Sequence, residues 1–305
     1  MVNTPKPDFF IVGAPKCGTT AMNDYLATHP DIFMARKEAH YFGSDLDITF
    51  QRMNLDAYLA LFAGWQGESR IGEASVWYLY SKRAAAEINA FNPDSRIIIM
   101  LRNPVDMLYS NYYQFLYNGN ENLPTFEEAL AAETERKKGQ RLPPDVMLPM
   151  SLYYRETAKY TEQVRRYFEV FGRERVHVVI FDDFKKDTAL VYKKTLGFLG
   201  VDDSFSTNFD VINPNKQVRS TTLRRFLRGH TGWPQAVAVT TARAVLPRKT
   251  RRQITSRLKR WNTVYTERQP LTPATRHQLQ IEFLPEVEKL SQLLDRDLTH
   301  WCRVE

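Results

Sequence analysis

The sequence predicts an α/β fold in three layers, with a central parallel sheet covered by helices on both faces. One observation is that short apolar runs alternate along the chain with longer segments of helical character. The other is that the clearest runs, Phe9–Val12 and Ile97–Leu101, contain no polar residue at all. Strands that are apolar on both faces are typical of a parallel sheet buried between helices.

The remaining elements follow from their boundary residues. Further strands are predicted at 70–73 and 176–181. Helices are predicted at 21–28, 82–90, 104–118, 126–138, 155–171, 189–199 and 273–298. Pro104 stands where a helix begins, and Gly172 and Gly200 stand where helices end. Pro285 is predicted to kink or interrupt the last helix, because proline cannot donate a backbone hydrogen bond.

Composition favours one domain over 1–305. Of the 305 residues, 43% are apolar and 25% are charged, and no linker rich in Gly, Ser or Pro divides them. The polar N-terminus lacks the apolar segment of a signal peptide, and Pro234–Pro247 is shorter than the ~20 residues of a membrane span. We therefore expect a cytoplasmic protein. Two cysteines, Cys17 and Cys302, do not make a disulfide framework.

Positive charge is concentrated in one block. No Asp or Glu occurs from Val211 to Thr266, which contains 13 Lys and Arg residues. The segment 220–266 is interpreted as an elaboration of the domain. The basic residues of 216–260 predict peripheral contact with an anionic ligand, polymer or membrane. The alternative is that they form a solvated helix face. Nucleic acid is not expected, because only Phe226 and Trp233 are aromatic between Arg219 and Arg260.

The first strand runs into a glycine-bounded loop, Gly13–Thr20, and then into a helix. This P-loop-like arrangement presents backbone N–H groups and a helix N-terminus to a phosphate. Lys16 adds a positive charge, and Thr19 and Thr20 add hydroxyl groups. The loop therefore predicts a phosphate-binding site.

A kinase or NTPase loop is the main alternative. Its two glycines have the right spacing here, but Thr19 occupies the position of the required lysine. The strand at 97–101 ends in Arg102-Asn103-Pro104, without the carboxylate that would bind Mg²⁺.

A second alternative is a non-catalytic protein that binds nucleotides or polyanions through the basic block. Cys17 is interpreted as a small loop residue rather than a nucleophile, because no His or Asp stands at a recognisable spacing.

Two segments together resemble the PAPS-dependent sulfotransferases (PAPS is 3′-phosphoadenosine-5′-phosphosulfate). Pro15–Thr20 resembles their 5′-phosphosulfate loop, and Leu101–Ser110 resembles their 3′-phosphate site. The resemblance implies a sulfotransferase that needs no metal. It implies nucleotide binding by Lys16, Cys17, Gly18, Thr19, Thr20, Arg102 and Ser110. It also implies a late basic loop, Asn213–Ser220, in which Lys216 and Arg219 close over the nucleotide.

The segment Lys37–Phe42 resembles the E-x-H-x-F segment of the branch with the heparan-sulfate N- and 3-O-sulfotransferases and their bacterial relatives. The resemblance implies Glu38 as the general base, with His40 as a second choice or as an orienting group. Lys16 is expected to stabilise charge on the departing oxygen. The expected acceptor is a hydroxyl or amine of a glycan, a glycolipid or a small metabolite.

One departure concerns the residue after Glu73. Members that modify glycosaminoglycans carry a lysine there, whereas this chain has Ala74. A heparan-type acceptor is therefore not favoured, and Glu73 is left as an acceptor-site carboxylate or secondary base. Trp77, Tyr78 and Tyr80 are interpreted either as an acceptor pocket or as core.

Overall fold

The parallel sheet is present and has five strands. The computed structural model describes residues 5–144, 146–209, 216–220, 223, 250, 254, 256–258, 261–265 and 269–303. Its strands are β1 (Phe9–Gly13), β2 (Ile32–Met34), β3 (Arg70–Ala74), β4 (Arg96–Leu101) and β5 (Val176–Ile180). They pair in the order β2-β3-β1-β4-β5, and every pair is parallel. The predicted fold class is confirmed.

Helices surround this sheet in two groups. They are α1 (Thr19–Leu26), α2 (Leu55–Leu59), α3 (Ala84–Phe91), α4 (Pro104–Asn118), α5 (Phe126–Ala131), α6 (Glu133–Arg136), α7 (Tyr154–Thr157), α8 (Tyr160–Phe171), α9 (Phe181–Lys186), α10 (Thr188–Leu199) and α11 (Pro273–Leu294). Short 3-10 helices lie at Ala60–Phe62, Pro149–Leu152, Arg173–Arg175 and Thr299–Cys302. One group contains α3, α4, α8 and α11, and the other contains α1, α9 and α10.

A small antiparallel pair lies outside the main sheet. It consists of β6 (Lys216–Val218) and β7 (Thr263–Tyr265), and β6 packs against α4. Within the described residues, none of the helices combines the length and the apolar character of a membrane span.

The pairing of β1 with β4 positions the candidate site. Apart from Arg96 at the start of β4, both strands are apolar and buried, as their sequences predict. Their register shifts between Ile11 and Gly13, after which the Ala14 amide donates to the Met100 carbonyl at 2.7 Å. Gly13 has φ 150°, and a Cβ atom there would lie 2.6 Å from the Val76 carbonyl oxygen. Only glycine fits this turn, which holds the following loop against the end of β4.

Two predicted helices are each divided in the structure. The helix predicted at 126–138 becomes α5 and α6, and the one predicted at 155–171 becomes α7 and α8. The second break follows from a contact with α11. There the Thr161 amide, in the first turn of α8, donates to Glu286 Oε1 at 2.7 Å. A side chain distant in sequence thus caps α8, which local periodicity cannot reveal.

Three further differences are local. β2 and α2 were not predicted, because β2 is a three-residue edge strand and α2 has only five residues, capped by Asn54. Pro285 does not interrupt α11, which is continuous over 22 residues. Pro285 has no N–H to donate to the Ile281 carbonyl. Both residues are exposed, and this carbonyl can therefore bind water instead.

One buried ion pair joins the segment after α4 to α6 and α7. Both side chains of Arg136 and Glu121 are fully buried, and their two hydrogen bonds measure 2.7 and 2.8 Å. The Tyr154 hydroxyl also donates to Glu121, at 2.9 Å. A paired charge of this kind is tolerated only while its partner is present.

We expect Arg136→Met to lower the free energy of unfolding by about 3–5 kcal/mol, because it leaves the Glu121 carboxylate buried without its counter-ion. Urea denaturation monitored by circular dichroism measures the change. The double variant Glu121→Gln/Arg136→Met removes both charges and should be more stable than Arg136→Met alone. A double variant less stable than the single one would contradict this interpretation.

Candidate active site

The loop between β1 and α1 has a backbone suited to binding an anion. Lys16 and Gly18 both have left-handed backbones, with φ 61° and 89°. A Cβ atom on Gly18 would lie only 3.1 Å from Phe184 and 3.2 Å from Phe181. Because Gly18 is the N-cap, no side chain caps the first turn of α1, which begins at Thr19. The first N–H groups of the helix thus face the loop without a side-chain partner.

A cleft of about 530 Å³ opens beside this loop. Residues from the loop, from α4 and from the segments around 37–50 and 147–151 line it. The predicted site residues in its wall are Lys16, Gly18, Thr19, Thr20, Glu38, His40 and Ser110. The structure thus brings together the loop, the candidate base and the serine of α4. Lys16 Nζ crosses towards α4 and donates to Gln114 Oε1 at 3.0 Å.

Arg102 lies beside the loop rather than in the cleft wall. Its Nη1 donates to the Lys16 carbonyl at 3.4 Å, and its guanidinium stacks on the Phe181 ring with 4.8 Å between guanidinium carbon and ring centroid. Asp106 Oδ2 lies 3.9 Å from Nη2, and Asp106 Oδ1 accepts from Arg276 at 2.9 Å. Arg102 is therefore fixed next to the backbone of the loop.

Glu38 and His40 form a pair in the wall of the cleft. Glu38 Oε2 lies 3.1 Å from His40 Nε2, and their side chains are 27% and 18% exposed. The His40 amide donates to Ser75 Oγ at 3.1 Å, which anchors the segment on the end of β3. Both carboxylate and imidazole are accessible from the cleft, as a proton acceptor must be.

Glu73 lies behind this pair and is 1% exposed. Ser75 Oγ donates to it at 2.5 Å and the Tyr58 hydroxyl at 3.2 Å. Burial raises the pKa of Glu73 to about 7, although hydrogen bonds from both hydroxyls and the nearby His40 lower it. Glu73 is not among the residues of the described cleft wall. An acceptor bound in the cleft would not contact it, so Glu73 does not have the position of an acceptor-site carboxylate.

Cys17 is a packed loop residue. It is fully buried, and its Sγ donates to the Pro15 carbonyl at 3.4 Å. Burial raises the pKa of the Cys17 thiol to about 12, against the opposing effect of Arg102 and Lys16. A thiol that stays protonated near neutral pH is a poor nucleophile.

The late basic segment is described only in part. Residues 213–215 and the side chain of Lys216 lie outside the described residues, as does most of the basic block. Arg219 is exposed, its amide donates to the Asn262 carbonyl at 2.9 Å, and its guanidinium lies over the Trp261 ring. The closing role of Lys216 and Arg219 and the anionic contact of the basic block stay predictions.

Comparison with known proteins identifies the family. The sulfotransferase domain family matches residues 6–225. The chain belongs to the sulfotransferase family. A solved sulfotransferase from Alicyclobacillus acidocaldarius shares 31% identity with it, covers 98% of this chain and 100% of its own, and superposes with a TM-score of 0.72.

Two curated human sulfotransferases are also similar. Carbohydrate sulfotransferase 15 is 28% identical over an alignment 248 residues long, and the match covers 64% of this chain and 44% of that protein. Heparan sulfate glucosamine 3-O-sulfotransferase 6 is 32% identical over 120 residues, or 39% of this chain and 33% of its own length. The chain thus spans less than half the length of the curated relatives it matches. The single-domain prediction for 1–305 stays a prediction.

A sulfotransferase domain implies PAPS as the sulfuryl donor, and the residues present fit this nucleotide. The loop offers an ammonium, two hydroxyls and a helix N-terminus to one anionic group. Arg102 contacts the loop and Ser110 lines the same cleft from α4, and a forked guanidinium suits phosphate oxygens. Membership of this family decides against the kinase or NTPase alternative.

Sequence reasoning missed two residues of the sulfotransferase cleft. Gln114, which holds Lys16, stands four residues after Ser110 and so on the same helix face, a spacing that could have identified it. Lys37 Nζ donates to the hydroxyls of Thr19 and Thr20, each at 3.1 Å. Its only signal in the sequence was its position directly before Glu38.

The aromatic residues after Glu73, interpreted from the sequence either as an acceptor pocket or as core, do not share one location. Trp77 lines the cleft of the sulfotransferase domain. Tyr78 is fully buried in the core, and its hydroxyl accepts hydrogen bonds from the Tyr41 and Phe42 amides. Tyr80 is absent from the described cleft wall.

The raised pKa of Glu73 predicts a pH-dependent stability. Between the unfolded value of 4.5 and the folded value of about 7, the folded protein binds a proton that the unfolded chain has lost. The contribution of Glu73 to the free energy of unfolding therefore falls as pH rises through this window, by roughly 3 kcal/mol. Below pH 4.5 both states are protonated, and the contribution is constant.

Glu73→Gln removes this titration. At each pH, the free energy of unfolding of the unaltered protein is subtracted from that of Glu73→Gln. We expect this difference to increase from pH 5 to pH 8, whatever its value at pH 5. Urea unfolding at a series of pH values measures this difference. A difference that is flat with pH would show that Glu73 titrates normally.

Proposed function

We propose that the protein transfers a sulfuryl group from PAPS to a hydroxyl or amine of its acceptor, in line, with Glu38 as the general base. The observation that carries the proposal is that Lys16 and Glu38 line one cleft, while Arg102 contacts the backbone of Lys16. A donor group held by the loop would therefore meet a carboxylate across the cleft. Metal ions have no part in this proposal.

The loop and its neighbours bind and orient the donor. Lys16, held by Gln114, is directed at the cleft, and Arg102 with Ser110 is proposed to bind the 3′-phosphate. PAPS supplies a sulfuryl group that is bonded to a phosphate, and this phosphate is a good leaving group. Lys16 and the first N–H groups of α1 stabilise the charge that develops on the bridging oxygen as its bond to sulfur breaks.

Glu38 removes the acceptor proton as the new bond to sulfur forms. Its carboxylate is accessible from the cleft, and His40 Nε2 lies 3.1 Å away. The imidazole is proposed to orient the carboxylate, and it is also the alternative base. The acceptor oxygen or nitrogen gains sulfur and loses one proton to Glu38, and the nucleotide keeps the bonding electron pair.

The acceptor wall combines apolar and amide side chains. Ile48, Phe50, Trp77 and Met147 supply apolar surface, and α4 and the segment after it supply amides. The names of the curated relatives refer to carbohydrate and heparan sulfate acceptors. A glycan, a glycolipid or a small metabolite with a hydroxyl or amine is the proposed acceptor class, and the cytoplasm is the proposed location.

Removing either cation at the donor site should weaken nucleotide binding. We expect Lys16→Ala and Arg102→Ala each to weaken binding of PAP (3′-phosphoadenosine-5′-phosphate) by about 10- to 100-fold, since each loses a charged hydrogen bond. Isothermal titration calorimetry with PAP measures the change. Arg165→Ala, at a half-buried arginine of α8 outside the described cleft wall, is the matched control. Unchanged PAP affinity in both variants would refute the donor site.

Removing the base should affect turnover but not nucleotide binding. We expect Glu38→Gln to keep PAP affinity and to lose about 10²- to 10⁴-fold in turnover, the usual contribution of a general base. PAP release from PAPS, with the best acceptor from a screen of alcohols and amines, measures turnover. Glu169→Gln, at an exposed carboxylate of α8, is the control. Normal turnover in Glu38→Gln, with loss in His40→Gln, would transfer the role of base to His40.

A further inference from the structure

Lys37 occupies an unusual position between the loop and the candidate base. Its Nζ donates to Thr19 Oγ1 and Thr20 Oγ1, both at 3.1 Å, and both hydroxyls belong to the first turn of α1. Lys37 also lines the cleft and directly precedes Glu38. Its ammonium therefore lies at the boundary between the donor and acceptor sides of the cleft.

The charge of Lys37 is only partly compensated. An ammonium has three N–H donors, and the two threonine hydroxyls accept two of them. Among the described residues, no carboxylate lies within the 4.0 Å of an ion pair with Lys37. Burial lowers the pKa of Lys37, and the charges of Glu38 and Asp24 oppose this effect more weakly. A desolvated cation with a remaining donor is suited to binding an anion.

Lys37 and Lys16 are the cationic side chains in the described wall of the cleft. They reach the cleft from different elements. Lys16 belongs to the loop after β1 and is held by Gln114 of α4, whereas Lys37 follows β2 and is held by the threonine hydroxyls of α1. An anionic group bound in this cleft would thus meet two ammonium groups in its wall.

We propose that Lys37 binds the transferring sulfuryl group. This inference rests on the proposed sulfotransferase function. The sulfuryl group must lie between the loop after β1 and the proposed base, and the Lys37 ammonium, held on the first turn of α1, lies in the wall of that part of the cleft. Lys37 draws sulfuryl oxygens towards the loop hydroxyls and stabilises the charge of the group during transfer. Lys37 stays protonated throughout, and Glu38 alone receives the acceptor proton.

The test separates binding of the sulfuryl group from binding of the nucleotide. PAP lacks the sulfuryl group, so we expect Lys37→Met to bind PAP within about threefold of the unaltered protein while turnover of PAPS falls about 10²- to 10³-fold. Lys37→Arg retains the charge and should turn over faster than Lys37→Met. Lys138→Met, at an exposed lysine outside the described cleft wall, is the matched control. Calorimetry with PAP, PAP release from PAPS and the melting temperature are measured for all four proteins.

Two outcomes would overturn the role of Lys37. One is normal turnover in Lys37→Met. The other is an equal loss of turnover and PAP affinity, with or without a lower melting temperature, which would mean that Lys37 only shapes the loop. Both outcomes presuppose an active unaltered protein. If the unaltered protein neither binds PAP nor turns over PAPS, the proposed function fails and this inference fails with it.

Discussion

The parallel pairing of β1 with β4 is the constraint on which the candidate site depends. Parallel neighbours end at the same edge of a sheet, so the loop after β1 and Arg102 after β4 emerge side by side. The hydrogen bond from the Ala14 amide to Met100 and the contact of Arg102 with the Lys16 carbonyl extend this pairing beyond the strands. Any change that shifted this register would separate the two segments that we propose to bind phosphate.

The third segment of the site comes from β3, the other neighbour of β1. Ser75, directly after β3, accepts from the His40 amide and donates to Glu73, so the Glu38–His40 pair is anchored on the same edge of the sheet. The cleft therefore lies at the ends of three adjacent strands, with the loop after β1 at the centre.

Much of this arrangement could be predicted from the sequence, because its signals are local. An apolar strand, a glycine-bounded loop and a helix start are contiguous at Phe9–Thr20, and Pro104 marks α4. Other features depend on distant residues. The break between α7 and α8 depends on Glu286 of α11, and the role of Gln114 depends on Lys16 lying opposite it. Lys37 was missed because its threonine partners precede it by 17 and 18 residues, across β2.

We propose that the loop and the Arg102–Ser110 pair hold opposite ends of one nucleotide. Calorimetric titration of the unaltered protein with PAP, adenosine 5′-monophosphate and adenosine 3′-monophosphate is the decisive measurement. We expect PAP to bind at least about tenfold more tightly than either monophosphate, because each phosphate forms its own charged hydrogen bonds. Equal affinity for PAP and one monophosphate would mean that only one phosphate is bound, and the two-ended nucleotide site would be refuted.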